Sequence, residues 1–348
     1  AITRRLAGDA VFGEQDEVLE GVVIRELTQR GQTLALAESC TGGHIAHRIT
    51  NIPGASAAFL AGYDVGAAVS FKGIAEGVEN SNFLLETTRG RFILTLYEKR
   101  VDAGDLPWFL ALMGHLAAKG LPVPGPVVDA RGQVLQVLNG RPACLIEFLP
   151  GVSVTEATPE AAREVGAALG QMHRALADFT APRPNALGPA AWSPLAARCN
   201  GRLGEIDAGL PDAVARGLAA AAAWPAGLPQ STIHADLFPD NVLMLDGRVT
   251  GLIDFYFACT DARAYDVAIT HAAWCFSADG RQFFPERAAG LMRGYLAEVE
   301  LSAAERAALP RLAAGAALRF TLTRAYDWLN TPADALVTRK DPMAFARR

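Results

Sequence analysis

The sequence predicts an α+β chain of two lobes, an antiparallel-sheet N-lobe and a helical C-lobe, preceded by a partial α/β segment. Three observations carry this. Residues 69–97 and 133–148 fall into short apolar runs, partly alternating, separated by glycine and asparagine turns, as antiparallel strands do. Beyond Pro150-Gly151 the apolar residues recur at helical spacing instead, as in Val165, Leu169, Met172, Leu176 and Phe179. The first sixty residues hold one evident strand flanked by helical stretches. The expected domains are therefore 1–62, 63–148 and 149–348.

In order along the chain, residues 14–30 read as an amphipathic helix with Leu19, Val22, Val23 and Leu27 on one side and Gly31 as its stop. Residues 33–37 form a short buried strand that turns through Ser39, Thr41, Gly42 and Gly43 into a helix over 44–50. Such a turn suits a phosphate or oxyanion, or equally an ordinary N-cap. Strands follow at 69–74, 78–86 and 91–97, then a helix at 105–119 stopped by Gly120 and Pro122. Strands 133–138 and 141–148 meet at Asn139-Gly140, a strong hairpin signal. Thr158 caps a helix with Pro159 at its first position, and His173 lies beside its apolar stripe as a packed residue. A proline-rich connection at 182–194 leads to an alanine-rich helical pair at 196–224. Helices are expected at 264–276, 285–298, 303–309 and 311–328, with Asp266 in a structural role at a helix start. The tail, 331–348, is polar and expected to fray.

Composition narrows the function. At 348 residues the chain has room for two or three units of ~100–200 residues. A formal net charge of −5 and the lack of a Lys/Arg run argue against a nucleic-acid partner. Five scattered cysteines without a C-x-x-C pair fit reduced thiols and offer no zinc spacing. No apolar stretch reaches the ~18 residues a membrane span needs, and acidic residues come too early for a secretion signal. The expectation is a cytoplasmic protein with no membrane partner. Its opening alanine fits either processing or a fragment.

The chemistry concentrates in residues 231–254, STIHADLFPDNVLMLDGRVTGLID. A His234-Ala235-Asp236 turn is followed by Asn241, then by a hairpin through Asp246-Gly247 that returns to Asp254. Each acid or amide alone is an ordinary turn residue. Together, H-x-D-x-x-x-x-N, a hairpin and an aspartate follow the order of a protein-kinase-like catalytic loop and metal strand. Phosphoryl transfer needs a base for a hydroxyl and hard oxygen ligands for magnesium on a nucleotide. Asp236 is the candidate base; Asn241 and Asp254 are the candidate metal ligands. A glycine hairpin with Gly73, Gly77 and Asn80 can lie over ATP phosphates, as kinase glycine loops do. Glu147, Phe148 and Leu149 stand where a two-lobed kinase places its hinge, as candidate adenine contacts or as a plain strand exit.

Two resemblances extend this reading. Residues 37–60, AESCTGGHIAHRITNIPGASAAFL, resemble the nicotinamide-mononucleotide amidase family associated with competence and damage inducibility. That resemblance implies Ser39 as a nucleophile, with Thr41 and two glycines around it. It ends where Phe59-Leu60-Ala61-Gly62-Tyr63 runs into Asp64-Val65-Gly66, and with no base near Ser39 no amidase activity is expected. From Tyr63 onward the chain resembles the homoserine kinase family, which shares the aminoglycoside and choline kinase fold. The phrases that carry it are YDVGAAVSFKGIAEGVENSNFLLETTRGRFILTLYEKRV, CLIEFLPG, HADLFPDNVL and GLIDFYFACTDARAYDVAI. It implies a two-lobed protein-kinase-like (aminoglycoside phosphotransferase) fold. The implied reaction is ATP- and Mg2+-dependent phosphorylation of L-homoserine to O-phosphohomoserine, a step toward threonine. By position it makes Asp236 the base and Asn241 and Asp254 the magnesium ligands.

Where kinases place a phosphate-binding lysine, in the third strand, this chain has Thr95, with Lys72 and Lys99 as the nearest cations. The helix over 105–119 has no glutamate to pair with such a lysine. The shared phrase FLAGY reads as the joint of a chimera. Other acceptors, such as choline or an aminoglycoside, are the competing readings. Choline asks for an aromatic cage, an amino acid for a carboxylate-binding cation and an ammonium-binding acid, with Arg263 and Asp261 as candidates. An amidase through Ser39 and a non-catalytic fusion are the readings from other classes.

Overall fold

The computed structural model describes residues 19–30, 60, 62–74, 80–97, 102–138, 141–331 and 339–348. The expected strand at 33–37, the helix at 44–50, Ser39, Thr41, Gly77, Lys99 and the Asn139-Gly140 turn lie outside them. Helix α1 (Leu19–Arg30) falls within the stretch expected to be helical. The chain divides into two compact units, Ala1–Leu110 with Gly125–Phe148, and Ala111–Pro124 with Leu149–Arg348. Among the described residues no helix is long and apolar enough to cross a membrane.

The first unit is built on an antiparallel sheet of β1 (Ala68–Ile74), β2 (Asn80–Thr87), β3 (Gly90–Tyr97), β4 (Gln136–Leu138) and β5 (Arg141–Glu147). The strand order is β1-β2-β3-β5-β4. The fourth strand is shorter than its expected 133–138, because Asp129 draws the chain into a turn, accepting from the amides of Arg131 and Gln133. Period-two alternation sends Leu85, Leu94, Ala143 and Leu145 into one core, where Leu60, Tyr63 and Val65 join them. Leu60 and Tyr63, from the phrase at the apparent joint, are thus part of this sheet's core. Across the strands Asn82 stands opposite Thr95, and Thr95 opposite Cys144. Helix α2 (Leu106–Ala118) follows β3 and buries Leu106, Phe109, Leu110, Leu112 and Leu116.

The second unit begins its longer segment with β6 (Val152–Ser153) and α3 (Pro159–Ala175), whose Thr158 hydroxyl accepts from the Ala161 amide at 3.1 Å. Val165, Leu169, Met172 and Leu176 are buried as their spacing predicts, while Phe179 is half-buried beyond the helix end. Helix α4 (Pro189–Arg198) begins inside the expected proline-rich connection, because Pro189 takes a first-turn position where its missing N–H is not needed. Helix α5 (Leu210–Ala221) follows. Strands β7 (Gln230–Ile233), β8 (Val242–Leu245), β9 (Arg248–Leu252) and β10 (Cys259–Ala262) form two small sheets, β10-β7 and β6-β8-β9. Helices α6 (Arg263–Trp274), α7 (Pro285–Glu298), α8 (Ala303–Asn330) and α9 (Met343–Ala346) complete the unit.

Two expectations are corrected here. The helices at 303–309 and 311–328 are one, with Pro310 inside it; a Ser302–Glu305 capping box fixes its start and tertiary packing carries it past the proline. The tail does not fray over its described part, since Phe345 is fully buried against Phe238 and Phe320.

Helices α3 and α7 approach through paired glycines. A β-carbon on Gly166 would stand 2.1 Å from the Leu291 carbonyl oxygen, and one on Gly294 would stand 2.0 Å from that of Arg163. Gly290 and Gly170 meet the opposite helix in the same way, at 2.4 Å from the Pro159 oxygen and 2.7 Å from Glu298 Cβ. Only glycine permits backbones this close.

Candidate active site

Strand β7 ends at Ile233 and delivers the turn His234-Ala235-Asp236. Ala235 has φ 61°, a left-handed conformation unusual for a residue with a side chain. Three buried groups hold it there. Asp266, in the first turn of α6, accepts from the His234 amide at 2.7 Å and from the Ala235 amide at 2.9 Å. Arg319 on α8, itself buried, donates to the Ala235 carbonyl. His234, fully buried, accepts from the Asp236 amide at Nδ1, 3.3 Å, so its Nε2 carries the proton and donates to the Ile253 carbonyl at 3.0 Å. Burial holds this imidazole below its usual range, which matches the neutral form that bonding pattern requires.

The loop after Asp236 closes on itself. Asn241 Nδ2 donates to the Asp236 carbonyl at 2.8 Å and to Asp236 Oδ2 at 3.1 Å. This leaves Asn241 Oδ1, an acceptor, for other partners. The Asn241 carbonyl accepts from the Ile253 amide at 3.0 Å, which sets Asp254 beside this loop at the end of the β8–β9 hairpin. Asp254 is exposed, with φ 65°, and Asp236 is half-buried. The two acids and the amide singled out by spacing are thus gathered by direct bonds between Asp236 and Asn241 and between Asn241 and Ile253.

A deeper layer was missed by sequence reasoning. Asp266 Oδ2 also accepts from His173 Nε2 at 3.1 Å, and His173 Nδ1 contacts the Tyr295 hydroxyl at 2.9 Å. Burial alone would raise the Asp266 carboxyl, but His173 and the backbone amide donor of His234 hold it below the usual carboxylate range. The structural role expected for Asp266 holds, although it serves the His234-Ala235-Asp236 turn rather than its own helix. His173 is packed, as expected. The glycine contacts of α3 and α7 bring His173 and Tyr295 together.

The other candidates lie as follows. Gly73 sits in β1 opposite Phe83, and Asn80 opens β2 opposite Tyr97. Glu147 closes β5; its amide bonds the Gly125 carbonyl at 2.9 Å, and the Phe148 amide faces the Arg91 carbonyl at 3.4 Å. The Arg91 guanidinium lies 4.3 Å over the Phe148 ring. Thr95 is buried and donates to Asn82 Oδ1 at 2.9 Å. Arg263 and Asp261 are engaged in packing: Arg263 grips Glu305 at 2.7 and 3.0 Å, and Asp261 accepts from Asn185 at 2.7 Å.

Among the described residues no group of three His, Cys, Asp or Glu side chains is placed to hold a metal ion. The donor set of Asn241 and Asp254 fits magnesium arriving with a nucleotide, because that ion keeps water and phosphate oxygens as its remaining ligands.

Residues 70–314 match the phosphotransferase enzyme family. The chain is 57% identical over 294 residues to homoserine kinase of Gluconobacter oxydans, spanning 84% of this chain and 93% of that one. The chain belongs to the homoserine kinase family of phosphotransferases. It is also 56% identical over 292 residues to the homoserine kinase of Xanthobacter autotrophicus, spanning 84% and 91% of the two chains. Amicoumacin kinase hAmiN, solved with AMP-PNP, Ca2+ and Ami, shares the fold of this homoserine kinase family member at a TM-score of 0.60 and 18% identity, over 81% and 89% of the chains. Residues 16–76 match the CinA C-terminal domain, over the stretch that carries the amidase-like resemblance.

Proposed function

We propose that the chain transfers the γ-phosphoryl group of ATP to the side-chain hydroxyl of L-homoserine, giving O-phosphohomoserine and ADP. The observation that carries this reading is the 3.1 Å contact between Asn241 and Asp236 in a turn fixed by bonds on both sides. The acceptor rests on the likeness to homoserine kinases.

In this reading Asp236 accepts the hydroxyl proton as the acceptor oxygen bonds to the γ-phosphorus and the bond to the bridging oxygen breaks. Asn241, through Oδ1, and Asp254 would hold magnesium, which when bound with ATP offsets the charge that develops on the transferring group. Gly73, Gly77 and Asn80 are the candidates for contact with the phosphates, by likeness to kinase glycine loops. Glu147, Phe148 and Leu149 meet the adenine, and since the Glu147 and Phe148 amides face other carbonyls, the Leu149 amide is the donor for that contact.

The test is ADP release from magnesium-ATP on addition of L-homoserine. Asp236→Asn is expected to lower kcat by ~10²–10⁴-fold, the usual worth of a positioned acid–base group. A variant with near wild-type turnover, or deamidation of nicotinamide mononucleotide that Ser39→Ala abolishes, would overturn the reading.

A further inference from the structure

An amino-acid acceptor needs a cation for its carboxylate, and Arg263 is already bound to Glu305. Helix α8 supplies another. It runs along the catalytic turn: Arg319 bonds the Ala235 carbonyl, and Phe320 meets Phe238 edge-on at 4.8 Å between ring centres. Arg324 lies one turn further on the same face, since residues four apart are helix neighbours. We propose that Arg324 binds the carboxylate of the amino-acid acceptor and so sets the preference for it over the matching amino alcohol, a role that rests on the homoserine reading above.

Arg324 is half-buried, its guanidinium 4.5 Å over the Phe345 ring, and its Nη1 donates to the Asp341 carbonyl at 3.3 Å. Among the described residues no carboxylate forms an ion pair with it. The nearby acids are held by others: Asp240 pairs with Lys340 at 3.3 Å, and Asp341 accepts from the Met343 amide at 2.8 Å and faces Arg347 at 3.5 Å. An arginine fork has five N–H donors and matches a carboxylate with two parallel bonds. A planar fork of this kind therefore suits a ligand carboxylate better than a lysine would.

Reach agrees. Four bonds separate the homoserine hydroxyl oxygen from its carboxyl carbon, roughly 5 Å when extended. The carboxylate site must therefore lie near the base. Burial lowers the Arg324 guanidinium from its usual range, and Asp236 and Asp240 are close enough to oppose that through space. The packed aromatic cluster of Phe238, Phe320 and Phe345 beside it limits water, which strengthens a charge-assisted bond.

The test compares kcat/KM for L-homoserine and for 3-aminopropan-1-ol, which lacks only the carboxylate, in wild type, Arg324→Ala, Arg324→Lys and Lys340→Ala. Calorimetric binding of L-homoserine with AMP-PNP present is the second readout. Arg324→Ala is expected to lower the homoserine-to-aminopropanol ratio by about 10- to 100-fold and to weaken homoserine binding in parallel, with part of the ratio regained in Arg324→Lys. Equal losses for both acceptors mean Arg324 only anchors the C-terminal segment, and loss of the ratio in Lys340→Ala alone assigns the role to that lysine; either overturns the proposal. A wild-type enzyme that does not prefer homoserine removes the acceptor reading and this role together. Preference in wild type that survives in Arg324→Ala removes only this role.

Discussion

Asp236 reaches its position because Asp266, His234 and Arg319 grip the backbone around it. The left-handed Ala235 costs about 1–2 kcal/mol, and the bonds to its amide and carbonyl offset that strain. In Asp266→Asn one acceptor becomes an NH2 group facing an N–H donor inside the core. The expected loss is about 2–4 kcal/mol of unfolding free energy at pH 7, read by urea denaturation, with a fall in kcat. The sign with pH follows from the lowered carboxyl. Its stabilisation is full above the ordinary carboxylate pKa and is lost as pH falls through its folded value, so the deficit of the variant shrinks below about pH 4. A deficit unchanged at low pH would mean that Asp266 is not ionised in the fold. Spacing alone found Asp236, Asn241 and Asp254, because their contacts run through one loop and one hairpin. It could not show the bonds of His173 to Asp266 and Tyr295, which join residues 93 and 122 positions apart.

Among the secondary-structure elements, the α3–α7 pair decides the most. Gly166 and Gly170 face one helix, Gly290 and Gly294 the other, so each backbone rests on its partner. Gly294→Ala is expected to destabilise by about 1–3 kcal/mol through overpacking, seen as a lower Tm, and to lower kcat by moving Tyr295 and His173. A variant with unchanged Tm would show that the helices separate freely. By helix propensity alone these glycines count against two helices, and nothing in one helix reveals the other's backbone. Pro310 posed the opposite problem: a breaker by local rules, it stands within one long helix because burial on both sides outweighs the lost hydrogen bond.

For the whole molecule, buried histidines set a pH dependence. Burial lowers both His234 and His271, so each takes up a proton more readily once unfolded. Their contribution is present above about pH 6.5 and is lost as pH falls from there toward their folded values. Unfolding free energy is expected to drop between pH 6.5 and 5.5, and His271→Gln, which cannot charge, to flatten that slope. A slope of the same size in the variant would assign it elsewhere. The sequence by itself determined the α+β class, the family, the helix and strand periods and the choice of Asp236, Asn241 and Asp254 as candidates, because these depend on neighbours along the chain. Tertiary structure alone decided which polar groups are already engaged by partners within the fold. Arg263 and Asp261, attractive by position, are tied up by Glu305 and Asn185, while Arg324, unremarkable in sequence, joins the aromatic cluster next to the Asp236 loop because α8, far downstream in the chain, packs along that loop.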